Sequence, residues 1–456
     1  MHFQKLMDDF LLHYLNHFDK HCFNVKLHDR EYTIGQGEPE FTGIVHQDVP
    51  KKELLESTEL ALGEAYMRGD IEIEGDLFHM LCTFLEQADR FSLDRKGLRN
   101  ILYMSEKKKD QAKEVSSHYD LGNEFYKLWL DPTMSYSCAY FKHEDDTLEQ
   151  AQRNKVDYIL EKLYLKKGMT LLDIGCGWGF LLIEAAKKYG VKGYGCTLSK
   201  EQWKKGQERI KAEGLEGQVQ IELVDYRDLE DKGLIFDRIV SVGMMEHVGR
   251  SNYATYMETA NHLLKDGGIF LLHTITGHDE VVSEPWIRKY IFPGGTLPSL
   301  RELISHAYDA DFRVLDVESL RRHYYRTLMC WYHNFLKVHD VVAGWKDESF
   351  VRMWDLYLAG CAAAFYIGYI DIHQVLMTKG NNNELPMTRW YCGRPVARRD
   401  GFRLRRSVKW PSSGCVHGGG APPAAADFQR LLLRMRLEGQ PGGRSLRFCR
   451  RNPSLR

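Results

Sequence analysis

No CxxC pair occurs in this chain, although it holds ten cysteines, at 22, 82, 138, 176, 196, 330, 361, 392, 415 and 449. That spacing excludes a zinc ribbon. Ten thiols in 456 residues are also too sparse for a disulfide-dense secreted module. A long hydrophobic run is missing too. The stretch LYLAGCAAAFYIGYI at 356–370 is apolar for 15 residues, short of the roughly 20 that span a bilayer. Its small residues permit close helix packing and Asp371 follows at once, so it reads as a buried or pocket-lining helix. The opening MHFQKLMDDF has no basic segment leading into an apolar one. No signal peptide is therefore expected, and the cytoplasm, with free thiols, is the expected compartment. Internal repeats are absent. Apolar residues at 43% and charged residues at 27% are ordinary for a globular protein and exclude collagen-like, wholly disordered and multi-span membrane chains. The length suggests two or three domains at ~150 residues each, or one large one.

The net charge of −1 is unevenly spread. Residues 392–456 hold 14 Arg and 1 Lys against 3 acids, and 6 of the 13 prolines, so this tail carries +12 and leaves −13 on the remainder. One reading is a basic arm for nucleic acid or anionic lipid. The tail lacks the aromatic-interleaved stripe of nucleic-acid modules. The favoured reading is sequence foreign to the fold, such as a frameshifted end or an appendage. It is expected to be disordered, because its apolar content cannot offset the entropy of ordering. No nucleic-acid partner is expected.

Residues 1–105 mix both periodicities and predict a small α+β domain. LMDDFLLHYLNHF has helical spacing, FNVKLHD and REYTIGQGE read as short strands, and 51–89 alternates helix-like stretches with a break at Gly69-Asp70. A charged linker, 106–114, leads into 115–391, where strands and helices alternate. Strands are expected at 169–175, 191–199, 219–225, 236–243, 267–275 and 312–317, with a helix at 179–190 closed by Gly190 and a Lys/Glu-rich helix after 199. Such alternation implies an α/β fold, a mostly parallel sheet with helices on both faces. Ligands then bind at the carboxyl ends of the strands.

The most informative segment is LLDIGCGWG at 171–179. An apolar strand ends in Asp173, and Gly175, Gly177 and Gly179 follow at alternate positions, with Cys176 between the first two. Glycine lets the backbone turn sharply and a ligand approach without a Cβ in the way. The spacing is GxGxG rather than the dinucleotide GxGxxG, and this variant resembles motif I of the S-adenosylmethionine-dependent methyltransferases. After the second strand, where Rossmann-like sites place an acid for the ribose, the chain has Thr197-Leu198-Ser199 and then Gln202, whose hydroxyl and amide groups can also pair with ribose. After the third, Asp225, Tyr226, Arg227 and Asp228 can face the adenine. Thr197 as a mere helix cap and Tyr226 as a mere surface aromatic remain alternatives.

Longer matches follow. HYDLGNEFYKLWLD (118–131), YSCAYF (136–141), TLSKEQ (197–202), GMMEHVG (243–249), LLHTI (271–275), YIFPGGTLPS (290–299), YYRTLMCWYHNF (324–335) and YLAGCAAAFYIGYIDIHQVLM (357–377) stand in order. With them the sequence resembles the bacterial cyclopropane-fatty-acyl-phospholipid synthases, relatives of the mycolic acid cyclopropane synthases. GEAYMRGDIEIEGDL (63–77) resembles the extra N-terminal domain of the phospholipid-acting branch, implying a role in lipid docking or dimerisation. The resemblance covers about 390 residues and stops near 391, where the basic tail departs from it.

The resemblance implies a Rossmann-like methyltransferase fold with a seven-stranded sheet and an enzyme that adds the methyl carbon of S-adenosylmethionine to a cis double bond of a phospholipid acyl chain. It implies a cytoplasmic homodimer, peripherally associated with the inner face of the membrane, with no transmembrane segment. It further implies a bicarbonate ion as general base, held by Cys138, Glu246, His273 and Tyr324 with the Ile275 backbone. Tyr119 and Ser137 join Asp173, Gly175, Cys176, Gly177, Thr197, Leu198, Gln202, Asp225, Tyr226 and Arg227 as cofactor contacts. The chemistry needs a dry site, because water quenches a carbocation, and a base for an acidic proton. Cys138 acts there through its backbone, not as a nucleophile. His247 is expected to point away from the site, and 276–295 to form a substrate lid or tunnel wall. Rival readings are a methyltransferase for amines or carrier-bound mycolates, and a non-catalytic lipid- or cofactor-binding protein.

Overall fold

The computed structural model describes residues 15, 20–86, 121–278, 280 and 284–388. The chain divides into a unit Met1–Pro395 and a unit Val396–Arg456, and all described residues belong to the first. The expected linker at 106–114, Tyr119, the boundaries near 105 and 391 and the basic tail lie outside the described residues.

The first sheet holds β1 (Phe23–Leu27), β2 (Arg30–Ile34), β3 (Thr42–Val45) and β4 (Ile71–Glu74), in the order β2-β1-β3-β4. β1 and β2 are the two strands legible in the sequence. β3 and β4 are four residues each and no more than half-buried, so they carry no apolar run to betray them. The Gly69-Asp70 break is the end of helix Thr58–Arg68, where Gly69 takes φ 80° and turns the chain into β4.

The second sheet holds β5 (Thr170–Ile174), β6 (Lys192–Thr197), β7 (Val219–Leu223), β8 (Phe236–Val242), β9 (Leu264–Gly277), β10 (Phe312–Ser319) and β11 (Ile370–Lys379), in the order β10-β11-β9-β8-β5-β6-β7. β11 runs antiparallel to both neighbours, and the pairs from β9 across to β7 are parallel. The expected Rossmann-like methyltransferase fold is present, with seven strands. The second and third expected strands end early, at Thr197 and Leu223. Successive strands step away from β5 in one direction through β6 and in the other through β8. The order therefore reverses at β5–β8, and the cleft opens at the carboxyl ends there.

The helix expected at 356–370 is Glu348–Ile367, ended by Gly368 at φ 82°, and Ile370 opens β11 instead. At 20 residues this helix is long and apolar enough to cross a membrane, yet 56% of its most apolar window is buried inside the protein. It packs between helices Arg321–Leu336 and Leu77–Glu86, as a core helix does. Around it lies an aromatic core. Trp129, Trp331 and Trp354 are fully buried, with ring centroids 5.8 Å (Trp129–Trp331) and 5.9 Å (Trp129–Trp354) apart, edge to face.

The described residues of segment 276–295 are not loosely placed on the surface. Its helix Pro285–Tyr290 buries Trp286 against the N-terminal helix Thr58–Arg68, and Glu64 accepts hydrogen bonds from Lys289 and from the Tyr290 hydroxyl (2.9 Å). A Cβ on Gly63 would lie 2.5 Å from Trp286 Cδ1. We expect Gly63→Ala to destabilise the protein by about 1–3 kcal/mol through overpacking. Gly344→Ala, in a helix with nothing within 4 Å of the new Cβ, should instead stabilise by up to ~1 kcal/mol. Urea unfolding of the two variants checks the contrast, and equal midpoints would contradict the described packing.

Candidate active site

The glycine turn leaves β5 with Gly175 at φ 82°, Gly177 at φ 53° and Gly179 at φ 79°. A Cβ on Gly175 would meet Met244 Cγ at 2.7 Å, while one on Gly177 would meet nothing within 4 Å. Gly175 is thus glycine for conformation and close packing, and Gly177 for conformation beside open space. That space belongs to a cavity of about 160 Å³ at the switch point. Its lining includes Ser137, Asp173, Gly175, Cys176, Gly177, Thr197, Leu198, Gln202, Asp225, Tyr226 and Arg227. Every residue the resemblance implies as a cofactor contact lines it except Tyr119, which is outside the described residues, whereas Ser199, which caps the next helix, and Asp228 do not line it.

Thr197 Oγ1 donates to Gln202 Oε1 (2.9 Å) and accepts from the Ser199 N–H (3.2 Å). The helix cap is Ser199, not Thr197. Asp225 accepts three hydrogen bonds from Arg227, from the backbone N–H (3.0 Å), Nε (2.8 Å) and Nη2 (2.6 Å), so the two form one rigid wall. Tyr226 is buried rather than superficial, edge-on to Tyr256 at 5.3 Å. Asp173 is buried and its Oδ1 has no partner. Burial pushes its carboxyl up to about 7, against the pull of Lys155. Lys155 is buried as well and donates to Ser137 Oγ (2.8 Å). Burial brings its ammonium down to about 8, opposed by Cys138, Asp131 and Asp173.

Sequence reasoning missed Lys155, Tyr136, Met244 and His247 in this cavity. Lys155 sits on helix Leu148–Lys162, far from any motif, and only its burial distinguishes it from a surface lysine. His247 does not point away. Residues Met245–His247 form a 3₁₀ turn, so strand alternation does not apply, and the ring lines the cavity with its pKa brought down to about 4 by burial.

The five residues expected to hold the base do not line this cavity; four of them, Ile275, Glu246, Cys138 and Tyr324, are neighbours in a second cluster. Ile275 N–H donates to Glu246 Oε1 (2.8 Å), and Glu246 Oε2 is buried without a partner. The Ile275 amide, expected to face the ion, is therefore committed to Glu246. His273 lies two residues earlier in β9, on the same face, fully buried, with its Nε2 unpartnered. Cys138 Sγ and the Tyr324 N–H both approach the Leu320 carbonyl, at 3.9 and 3.0 Å. Burial raises the Tyr324 phenol well above its usual range, and Tyr357, Cys138, Glu246 and Cys361 are near enough to add to it. Burial also raises Glu246 and the Cys138 thiol and lowers His273. Cys138 is thus no thiolate, and His273 is neutral. Tyr136, which lines the cofactor cavity, bonds through its hydroxyl to that of Tyr357 (2.6 Å) and stands between cavity and cluster.

Comparison with known proteins follows this geometry. The family model described as mycolic acid cyclopropane synthetase matches residues 106–375, and one described only as a domain of unknown function matches 10–96. A cyclopropane-fatty-acyl-phospholipid synthase from Escherichia coli is 44% identical over 344 residues, covering 74% of this chain and 88% of its own. The solved cyclopropane synthase MmaA2 from Mycobacterium tuberculosis is 36% identical, covers 59% of this chain and 98% of its own, and has a TM-score of 0.56. The mycolic acid cyclopropane synthase CmaA1, solved in complex with SAH and CTAB, is 38% identical over the same shares with a TM-score of 0.55.

S-adenosylmethionine fits the cavity. Its cationic α-ammonium and sulfonium groups suit the unpartnered Asp173 Oδ1, and its methionine part can approach the bare Gly177 closely. Asp173 gains charge as pH rises through about 7, and Lys155 loses charge near 8, so both changes favour a cationic ligand. We expect calorimetric titration to give tighter S-adenosylmethionine binding at pH 8 than at pH 6, and Asp173→Asn to flatten that dependence. A flat wild-type profile would contradict the assignment. The cavity, the fold and the match over residues 106–375 agree: this chain belongs to the mycolic acid cyclopropane synthetase family and is an S-adenosylmethionine-dependent methyltransferase.

Proposed function

We propose that the enzyme builds cyclopropane rings on unsaturated phospholipid acyl chains. S-adenosylmethionine supplies an electrophilic sulfonium methyl and departs as S-adenosylhomocysteine. The π electrons of a cis double bond form a C–C bond to that methyl as its C–S bond breaks. The carbocation left on the other former double-bond carbon then gains the ring-closing electron pair when the added carbon loses a proton to a base. The observation that carries this reading is the second cluster, in which Glu246 Oε2 and His273 Nε2 are buried and unpaired beside the cofactor cavity.

The residues suit that chemistry. Tyr324 packs against Phe365 at 4.6 Å and Trp331 at 6.1 Å, and Tyr136 against Trp331 at 5.3 Å. Such ring faces exclude water and attract a cation. Neutral His273 is a hydrogen-bond donor. Glu246, raised by burial, can share a proton with an anion instead of repelling it. A bicarbonate ion held by His273, Tyr324 and Glu246 would supply the base. The acyl chain must leave a bilayer to react, which places the enzyme peripherally at a membrane surface.

Purified full-length protein with S-adenosylmethionine and unsaturated phospholipid vesicles should add one CH₂ per modified acyl chain and remove the double bond, as read by mass spectrometry. Turnover should weaken when bicarbonate is removed. Glu246→Gln should lower kcat by roughly 10²–10⁴-fold with cofactor affinity unchanged. Cofactor binding without any change in the lipid would contradict the proposal.

A further inference from the structure

Gln374 of β11 stands opposite Glu318 of β10 on one side and His273 of β9 on the other, so the three share one row across adjacent strands. Gln374 Nε2 lies 3.1 Å from His273 Nδ1, and Gln374 Oε1 accepts from Lys162 Nζ (2.8 Å). Lys162, from helix Leu148–Lys162, is fully buried and also ion-paired to Glu318, which accepts from the Tyr158 hydroxyl (2.8 Å). An ammonium has only donors, so Lys162 fixes which end of the amide is oxygen. The NH₂ end then faces His273 and must donate, making Nδ1 the acceptor. A neutral imidazole carries one N–H, and here it can only be on Nε2, the unpartnered atom.

We propose that Glu318, Lys162 and Gln374 are positioning residues that hold His273 as the Nε2–H tautomer, so that it presents a donor, never a lone pair, to the reacting site. Burial, with the charges of Lys155, Lys162 and His373 behind it, keeps the ring uncharged. The importance of that donor for turnover rests on the proposed cyclopropanation; the tautomer itself does not. Gln374→Glu is nearly isosteric and replaces the donor by an acceptor that Lys162 pairs with, forcing the hydrogen onto Nδ1.

The test is ¹⁵N NMR of histidine-labelled full-length protein, with the His273 signals assigned by difference from His273→Gln. The wild type should show the Nε2–H pattern and Gln374→Glu the Nδ1–H pattern, with kcat reduced at least 10-fold and S-adenosylmethionine affinity within about twofold. Lys162→Met, which frees the amide to flip, should give a mixture and an intermediate rate. An unchanged tautomer in Gln374→Glu, or an inverted tautomer with unchanged turnover, would overturn the proposal. A wild type that leaves lipid unmodified but shows the Nε2–H pattern would instead count against cyclopropanation alone.

A separate observation lies in the N-terminal sheet. His21 Nδ1 and His79 Nε2 both approach Glu40 Oε2, at 3.3 and 2.5 Å, and these three atoms lie within 4.8 Å of one another. The other nitrogen of His21 faces Glu86 Oε2 at 3.4 Å. A neutral imidazole cannot donate to two carboxylates, whereas a metal-bound histidine commonly gives its remaining N–H to one. We infer that His21, His79 and Glu40 take a divalent cation of the zinc class, with Glu86 orienting His21. After chelator dialysis, full-length protein titrated with Zn²⁺ should bind one ion that His79→Ala and Glu40→Gln each weaken at least 10-fold. Zinc binding indifferent to both substitutions, or none at micromolar concentrations, would refute the site.

Discussion

The hydrogen bond from the Ile275 N–H to Glu246 Oε1 ties the turn after β8 to the edge of β9, and much of the site depends on what it leaves over. It anchors one carboxylate oxygen and strands the other, Oε2, in a buried position. Two residues back along the same face, His273 is held by Gln374 on one nitrogen and stranded on the other. Buried polar atoms without partners are costly, and a fold retains them where a ligand supplies the missing bonds.

Desolvation is the largest influence on Asp173, Lys155, Glu246 and His273. Asp173 is raised and Lys155 lowered by the same cause, and their opposite charges only partly restore each group. The cavity thus sits near neutrality at physiological pH, which suits a ligand that arrives as a cation and leaves, after methyl transfer, with one positive charge fewer. Cys138, raised by burial, offers no thiolate.

The sequence made the glycine turn, the strand ends and the cofactor wall legible, because those features are local: Asp173 precedes the turn it serves, and Thr197 and Asp225 follow the strands that aim them. Glu246 and His273 were legible only through longer matches, since an acid after one apolar strand and a histidine within another are individually unremarkable. Lys155, Lys162 and Gln374 were invisible. Each lies in an element whose place in the sheet is set by tertiary packing, and β11 itself was hidden behind a helix whose apolar pattern runs almost into it. β3 escaped because its four residues show no alternation, and β4 because four alternating residues are too short a run to stand out between two helices. His247 was misplaced because a 3₁₀ turn breaks the alternation that a strand would keep.

The central claim is that the stranded atoms of Glu246 and His273 form one anion site beside the cofactor. A crystal structure of the full chain with S-adenosylhomocysteine, grown in bicarbonate, tests it most directly. The account predicts a planar triangular ion within about 3 Å of both His273 Nε2 and Glu246 Oε2. Density showing the cofactor product bound while those two atoms contact each other, or only water, would contradict it.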